Sequence, residues 1–143
     1  MAIVLIRIGL AILGLLGTLH AVYTLRDFRS PYYFAPRDRG LVKILETAGM
    51  GITKEQENFW RAYLGFHLSH SLGILIFAAT YFILTFINPE LIFHPALSII
   101  LIGTSFLYAL LSRIFWFSKP FIGASLAAIL FVVGLVLHMT GGA

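Results

Sequence analysis

The chain has 143 residues, of which 59% are apolar and 11% charged; it contains no cysteine and carries a formal charge of +4. An average soluble domain has roughly 25% charged residues, so a water-soluble core does not account for this composition. The lack of cysteine excludes disulfides, thiolate metal sites and thiol redox chemistry. The basic residues are interleaved with acids, which makes a lipid headgroup the expected anionic neighbour and argues against nucleic acid.

Four stretches without Asp, Glu, Lys or Arg dominate the chain: Ile8–Leu25, Ala62–Pro89, Leu91–Ser112 and Pro120–Ala143, of 18, 28, 22 and 24 residues. Each is long enough to cross a hydrocarbon core of about 30 Å as a helix. In hydrocarbon every peptide N–H and C=O must be satisfied by the protein itself, which leaves helices or closed barrels. The expected fold is all-α, a four-transmembrane-helix antiparallel bundle with a long amphipathic first loop. A single domain covers residues 1–143, with spans near 3–25, 60–87, 95–117 and 121–139 and the loop near 26–57.

The first span carries Arg7 close enough to its end for the stem to reach the headgroups. With Arg7 inside the run and no A-x-A-like site before Arg26, it reads as a retained span and not as a cleaved signal. In the loop, Ser30-Pro31-Tyr32-Tyr33-Phe34-Ala35-Pro36 places helix breakers around an aromatic cluster, which predicts an interfacial turn. Leu41, Ile44, Leu45 and Ala48 then recur at helical spacing opposite Arg39, Lys43 and Glu46. That pattern predicts a short amphipathic helix along the membrane surface, ended by Gly49 and Gly51. Thr53-Lys54-Glu55-Gln56 has the pattern of a capping box, so the second long helix is expected to begin there, project beyond the lipid and stop at Asn88-Pro89. The third span begins near Pro95, and Ser118-Lys119-Pro120 returns tightly into the fourth.

The side holding the long loop and Lys119 carries Arg26, Arg29, Arg37, Arg39, Lys43, Lys54, Arg61, Arg113 and Lys119, against Arg7 alone on the other. Positive-inside bias puts the first and third loops in the cytoplasm and both termini outside it. With these directions, His20 of the first span and His67 and His70 of the second fall in one layer near the cytoplasmic border. Tyr63, His67, His70 and Tyr81 project to one side of the second helix. Tyr23, Thr24 and Asp27 accompany His20, and Ser105, Tyr108, Ser112 and Trp116 form a stripe on the third span beside Arg113.

Polar groups within a membrane are costly and face the protein interior, where they either bond helices together or line a site. The ligand-binding candidates are His20, Thr24, Asp27, Tyr63, His67, His70, Tyr108 and Ser112. Neutral imidazoles ligate metals, and His20 with His70 is the candidate axial pair for haem b. No other metal is assigned, because His67 and His70 have no carboxylate or cysteine beside them. His94 and His138, at the opposite border, read as solvated imidazoles. Gly65-x-x-x-Ser69-x-x-x-Gly73, with Gly17-x-x-x-Ala21 as its candidate partner, predicts close helix packing. Trp60, Arg61, Trp116 and Lys119 read as interface anchors. No catalytic residue is assigned: no acid lies deep in a span, which argues against proton-coupled export, and P-loop, H-E-x-x-H, G-x-S-x-G and G-x-G-x-x-G motifs are absent.

Several strings carry a resemblance: Gly17-Thr18-Leu19-His20-Ala21-Val22-Tyr23-Thr24, Ala35-Pro36-Arg37-Asp38, the segment from Trp60-Arg61-Ala62 to Gly73, and Phe115-Trp116-Phe117-Ser118-Lys119-Pro120-Phe121. In this order, and over most of the chain, it resembles an uncharacterised bacterial family of small four-helix integral membrane proteins. The resemblance implies a bacterial inner membrane and no particular reaction. His20 and His70 fit the family pattern, whereas Asn is common at the place of His67. Three functions are compatible with these features. The leading one is a non-catalytic accessory or scaffold subunit that binds partner membrane proteins, a second copy of itself or lipids. The alternative is a protein binding haem b or another small molecule through His20 and His70, and the third is a lipid- or isoprenoid-modifying enzyme with His70 as acid–base.

Overall fold

The computed structural model describes residues 1–51 and 58–141. Its elements are α1 (Ala2–Asp27), α2 (Arg39–Thr47), α3 (Phe59–Ile87), a 3-10 turn (Pro89–Phe93), α4 (Pro95–Phe115) and α5 (Ser118–Met139). The chain is an all-α helical bundle in which α1, α3, α4 and α5 are long and apolar enough to cross a membrane. Only 33% of the apolar window of α1, and 28% of each of the other three, is buried within the protein. In water so much exposed Ile, Leu and Phe would be an aggregation hazard; in a bilayer it is the surface the solvent requires.

Element ends differ from the sequence expectation where local chemistry decides. The capping box at Thr53-Lys54-Glu55-Gln56 lies outside the described residues. At the described start of α3, Asn58 supplies the cap, its Oδ1 accepting the Arg61 N–H at 2.8 Å. Helix α4 stops at Phe115 because Trp116 is extended (φ −117°, ψ −161°), and so Trp116 leaves the helical stripe assigned to it. Helix α5 starts three residues earlier than expected, with Pro120 in the first turn, where a missing N–H breaks no helical bond. The loop expected at Asn88–His94 is wound into the 3-10 turn.

The chain divides into two compact units, Met1–Leu16 with Ile74–Ala143, and Gly17–Gly73. In the first, Ile6, Leu10 and Leu13 of α1 meet Ile74, Ala78 and Tyr81 of α3, Leu101 of α4, and Ala127 and Phe131 of α5. Gly9 lies so close to Phe131 that an added Cβ would stand 2.4 Å from its ring, and one added at Gly123 would stand 2.7 Å from the Leu16 side chain. Buried serines turn back on their own helices: Ser105 Oγ donates to the Leu101 carbonyl and Ser112 Oγ to that of Tyr108. Arg7 does not simply extend to the headgroups. Its guanidinium donates to Thr85 Oγ1 at 3.0 Å and to the Thr85 carbonyl at 2.9 Å, with Phe86 beneath it at 4.0 Å. His138, expected to be solvated, stacks on Phe93 with ring centroids 3.6 Å apart, and its Nε2 lies 3.8 Å from a Glu90 oxygen.

In the second unit, Asp38 caps α2 through Gly40 N–H at 2.8 Å. Helix α2 buries Val42, and partly Leu45, against Trp60 and Leu64. The face expected to bear Leu41, Ile44, Leu45 and Ala48 is therefore split: Val42 and Leu45 turn to the protein, while Leu41 and Ile44 stay exposed at 46% and 60%. Beyond α2, Gly49 bridges Asn58, and Phe59 N–H donates to the Ala48 carbonyl at 2.8 Å.

The contact at Gly9 yields a test. Gly9→Val overpacks the buried Phe131 ring and is expected to destabilise the detergent-solubilised protein by about 1–3 kcal/mol. Gly103→Val, where an added Cβ meets nothing within 4 Å, is expected to leave the melting temperature unchanged.

Candidate functional site

Helix α1 carries His20, Tyr23, Thr24 and Asp27 at i, i+3, i+4 and i+7, one helical stripe. Tyr63, His67 and His70 of α3 are similarly spaced, and within the Gly17–Gly73 unit the two sets meet. His20 Nε2 and His67 Nδ1 are 2.9 Å apart, a hydrogen bond in which one ring donates and the other accepts. The His70 ring stands edge-on to His20 at 5.6 Å between centroids. Phe34, from the turn after α1, covers both rings of the bonded pair, 4.6 Å from His20 and 4.7 Å from His67, and lies nearly parallel to the latter. Tyr63 meets His67 edge-on at 4.4 Å, and its hydroxyl donates to the Phe34 carbonyl at 3.3 Å.

The turn that delivers Phe34 is held by Asp27, whose side chain is fully buried. Its Oδ1 accepts the N–H of Tyr32 at 3.0 Å and of Tyr33 at 2.9 Å, and its Oδ2 accepts that of Phe34 at 2.7 Å. A carboxylate taking three amide protons compensates the cost of its burial, and the bonds are of the stronger, charge-assisted kind. Tyr33 stacks on Tyr23 at 4.2 Å, and its hydroxyl oxygen accepts a hydrogen bond from Arg26 Nη1 at 2.9 Å. Arg39 reaches back to the Pro31 carbonyl. The aromatic turn is thus a built element, tied to the end of α1 through Asp27.

The remaining candidates are placed as follows. Thr24 is buried and returns its hydroxyl to the His20 carbonyl at 2.8 Å. Tyr108 and Ser112 belong to the other unit, where Ser112 bonds the Tyr108 carbonyl. In the packing stripe, Gly65, Ser69 and Gly73 are all exposed, whereas Gly17 is buried and Ala21 half-buried. An added Cβ at Gly65 meets nothing within 4 Å, and Ser69 Oγ bonds the Phe66 carbonyl at 2.8 Å. Trp60, read as an interface anchor, is 4% exposed because Val42 and Leu64 pack on it. Arg61 and Lys119 are exposed, and Trp116 is half-buried.

The set does not fit haem b. An axial pair must offer nitrogens to opposite faces of one macrocycle. Here His20 Nε2 is turned to His67 at 2.9 Å, so it is not offered to a macrocycle shared with His70. Nor does any group of three His, Asp or Glu among the described residues have the geometry of a metal site. Sequence reasoning brought out the three imidazoles but missed Phe34 as their cover and the task of Asp27. A signal for Asp27 was present: an acid in the last turn of a helix opposes the macrodipole, an unfavourable position unless it has another partner.

Comparison of the chain with family models, with curated proteins and with solved structures gives no match.

Asp27→Ala strands three amide protons and is expected to lower stability by about 2–4 kcal/mol. Limited proteolysis should then cut between residues 28 and 38, where the wild type resists. Asp27→Asn, with one acceptor oxygen in place of two, should fall between them.

Proposed function

We propose that the chain is a non-catalytic accessory or scaffold subunit of a bacterial inner membrane, which binds partner membrane proteins side-on through α3. In this reading it belongs with the small four-helix family whose motifs it resembles, and residues 26–57 and Lys119 face the cytoplasm while both termini lie outside. The observation that carries the proposal is the Gly65, Ser69 and Gly73 face: three small residues on one helical stripe, all exposed in the isolated chain. Such a stripe lets a second backbone approach closely, and without a hydrophobic driving force inside lipid that close packing is what joins helices.

The imidazole cluster supports the same reading from the other side. Two of its rings are bonded to each other, the adjacent carboxylate is committed to the backbone, and among the described residues no buried polar side-chain atom lacks a partner. A general acid–base must have a substrate within hydrogen-bond reach of an available nitrogen or oxygen. An internally consumed network instead rigidifies the protein that presents the binding face. The nine-to-one distribution of Lys and Arg in the sequence supports the orientation.

Gly65→Leu separates association from folding, since its side chain enters open space in the isolated chain. The variant is expected to keep the wild-type melting temperature and to lose the proteins that co-purify with the wild type from native membranes at native expression. A wild-type chain that always emerges alone, or a Gly65→Leu chain that keeps its associates, contradicts the proposal. Self-association through the same face is the remaining outcome, in which the only associate is a second copy.

A further inference from the structure

A cavity of about 440 Å³ lies in the Gly17–Gly73 unit, where the chain leaves α1 and enters α3. Arg29, Glu46, Trp60 and Arg61 are among its lining residues, with Phe28 and Leu64 as apolar wall. None of the imidazoles lines it. Pockets of roughly 300–1,000 Å³ hold small molecules or large parts of them.

Its chemistry is defined by charges that do not pair with one another among the described residues. Among the described residues the Arg29, Arg61 and Glu46 side chains make no hydrogen bond, and no ion pair within 4.0 Å joins Glu46 to either arginine. Two cations and one anion therefore border the same space without neutralising one another. Trp60 is 4% exposed, and its indole N–H has no acceptor among the described residues. Because among the described residues no buried polar side-chain atom lacks a partner, that N–H opens onto accessible space. The position is as informative as the charges. Phe28 and Arg29 directly follow the α1 span and Trp60 and Arg61 begin the α3 span, which sets the cavity at the level of lipid headgroups.

We propose that this cavity binds the headgroup of a phosphoethanolamine phospholipid. The phosphate diester lies against Arg29 and Arg61, whose planar donors suit phosphate oxygens. The ammonium group lies against Glu46, the Trp60 N–H adds a neutral donor, and Phe28 and Leu64 border the glycerol end. A purely anionic headgroup would satisfy the arginines but set its charge against Glu46, whereas a zwitterion places each charge opposite its complement. The site is separate from the α3 face: retention of lipid without protein partners, or of partners without lipid, tells the two proposals apart.

Native mass spectrometry of the full chain, extracted in mild detergent from equimolar phosphatidylethanolamine and phosphatidylglycerol, tests this. The wild type is expected to retain phosphatidylethanolamine preferentially. Arg29→Gln with Arg61→Gln should reduce retention by about tenfold or more, the loss of charge-assisted bonds to phosphate. Glu46→Gln should keep lipid but lose the preference. All three residues are exposed, so the variants should keep the wild-type melting temperature. Soluble phosphoethanolamine at the lipid's concentration should leave the lipid bound. Absence of retained lipid, a wild-type preference for phosphatidylglycerol, retention unchanged in the double arginine variant, an unchanged preference in Glu46→Gln, or displacement by soluble phosphoethanolamine would each overturn the assignment.

Discussion

The Asp27 carboxylate and the three amide protons it receives are the interaction on which the Gly17–Gly73 unit depends. Helix α1 must end, and the chain must reverse next to an apolar border where unpaired peptide groups are costly. Asp27 resolves both demands from within the helix: it supplies acceptors to the turn at Tyr32–Phe34, and so fixes where Phe34 and Tyr33 project. Phe34 then covers His20 and His67, and Tyr33 locks on Tyr23 and Arg26. A residue that looks like a ligand by type is a keystone by geometry.

The same economy runs through the protein. Ser71, Ser105 and Ser112 return their hydroxyls to carbonyls one turn back, Arg7 is held by Thr85, and Tyr81 donates to the Leu97 carbonyl at 2.9 Å. Without water to pair with, each polar side chain in a span requires a protein partner, so satisfaction of these groups is the expected structural outcome in lipid. What the protein leaves unused is therefore more telling than what it buries. Among the described residues two such features stand out: the small-residue face of α3, and the Arg29, Arg61 and Glu46 charges that border one cavity without pairing with one another.

The fold class and the four spans were legible in the sequence because hydrocarbon admits so few alternatives, and runs such as Pro120–Ala143 carry the signal directly. The opposed directions of the first two spans led to the expectation that His20, His67 and His70 share one layer, and the structure brings the three rings together. Their hydrogen bond and their cover by Phe34 depend on rotamers and on a turn whose path no periodicity records. The small-residue motif of α3 does not pack on Gly17 and Ala21 as its spacing suggested. The conspicuous Gly65-x-x-x-Ser69-x-x-x-Gly73 remains exposed in the isolated chain, while tight contacts occur at Gly9 and Gly123, where the side chain of Phe131 or Leu16 presses on a single glycine. In α2, helical spacing alone favoured Leu41 and Ile44, but Val42 is the residue that docks, because Trp60 is what it has to cover.

Hydrogen exchange of the backbone amides of Tyr32, Tyr33 and Phe34, with the chain in lipid nanodiscs, tests the central role of Asp27 most directly. The three amides lie outside any helix, yet each is bonded to a buried carboxylate, so their exchange should be as slow as that of the adjoining turns of α1. Exchange at the rate of an exposed loop would contradict the account.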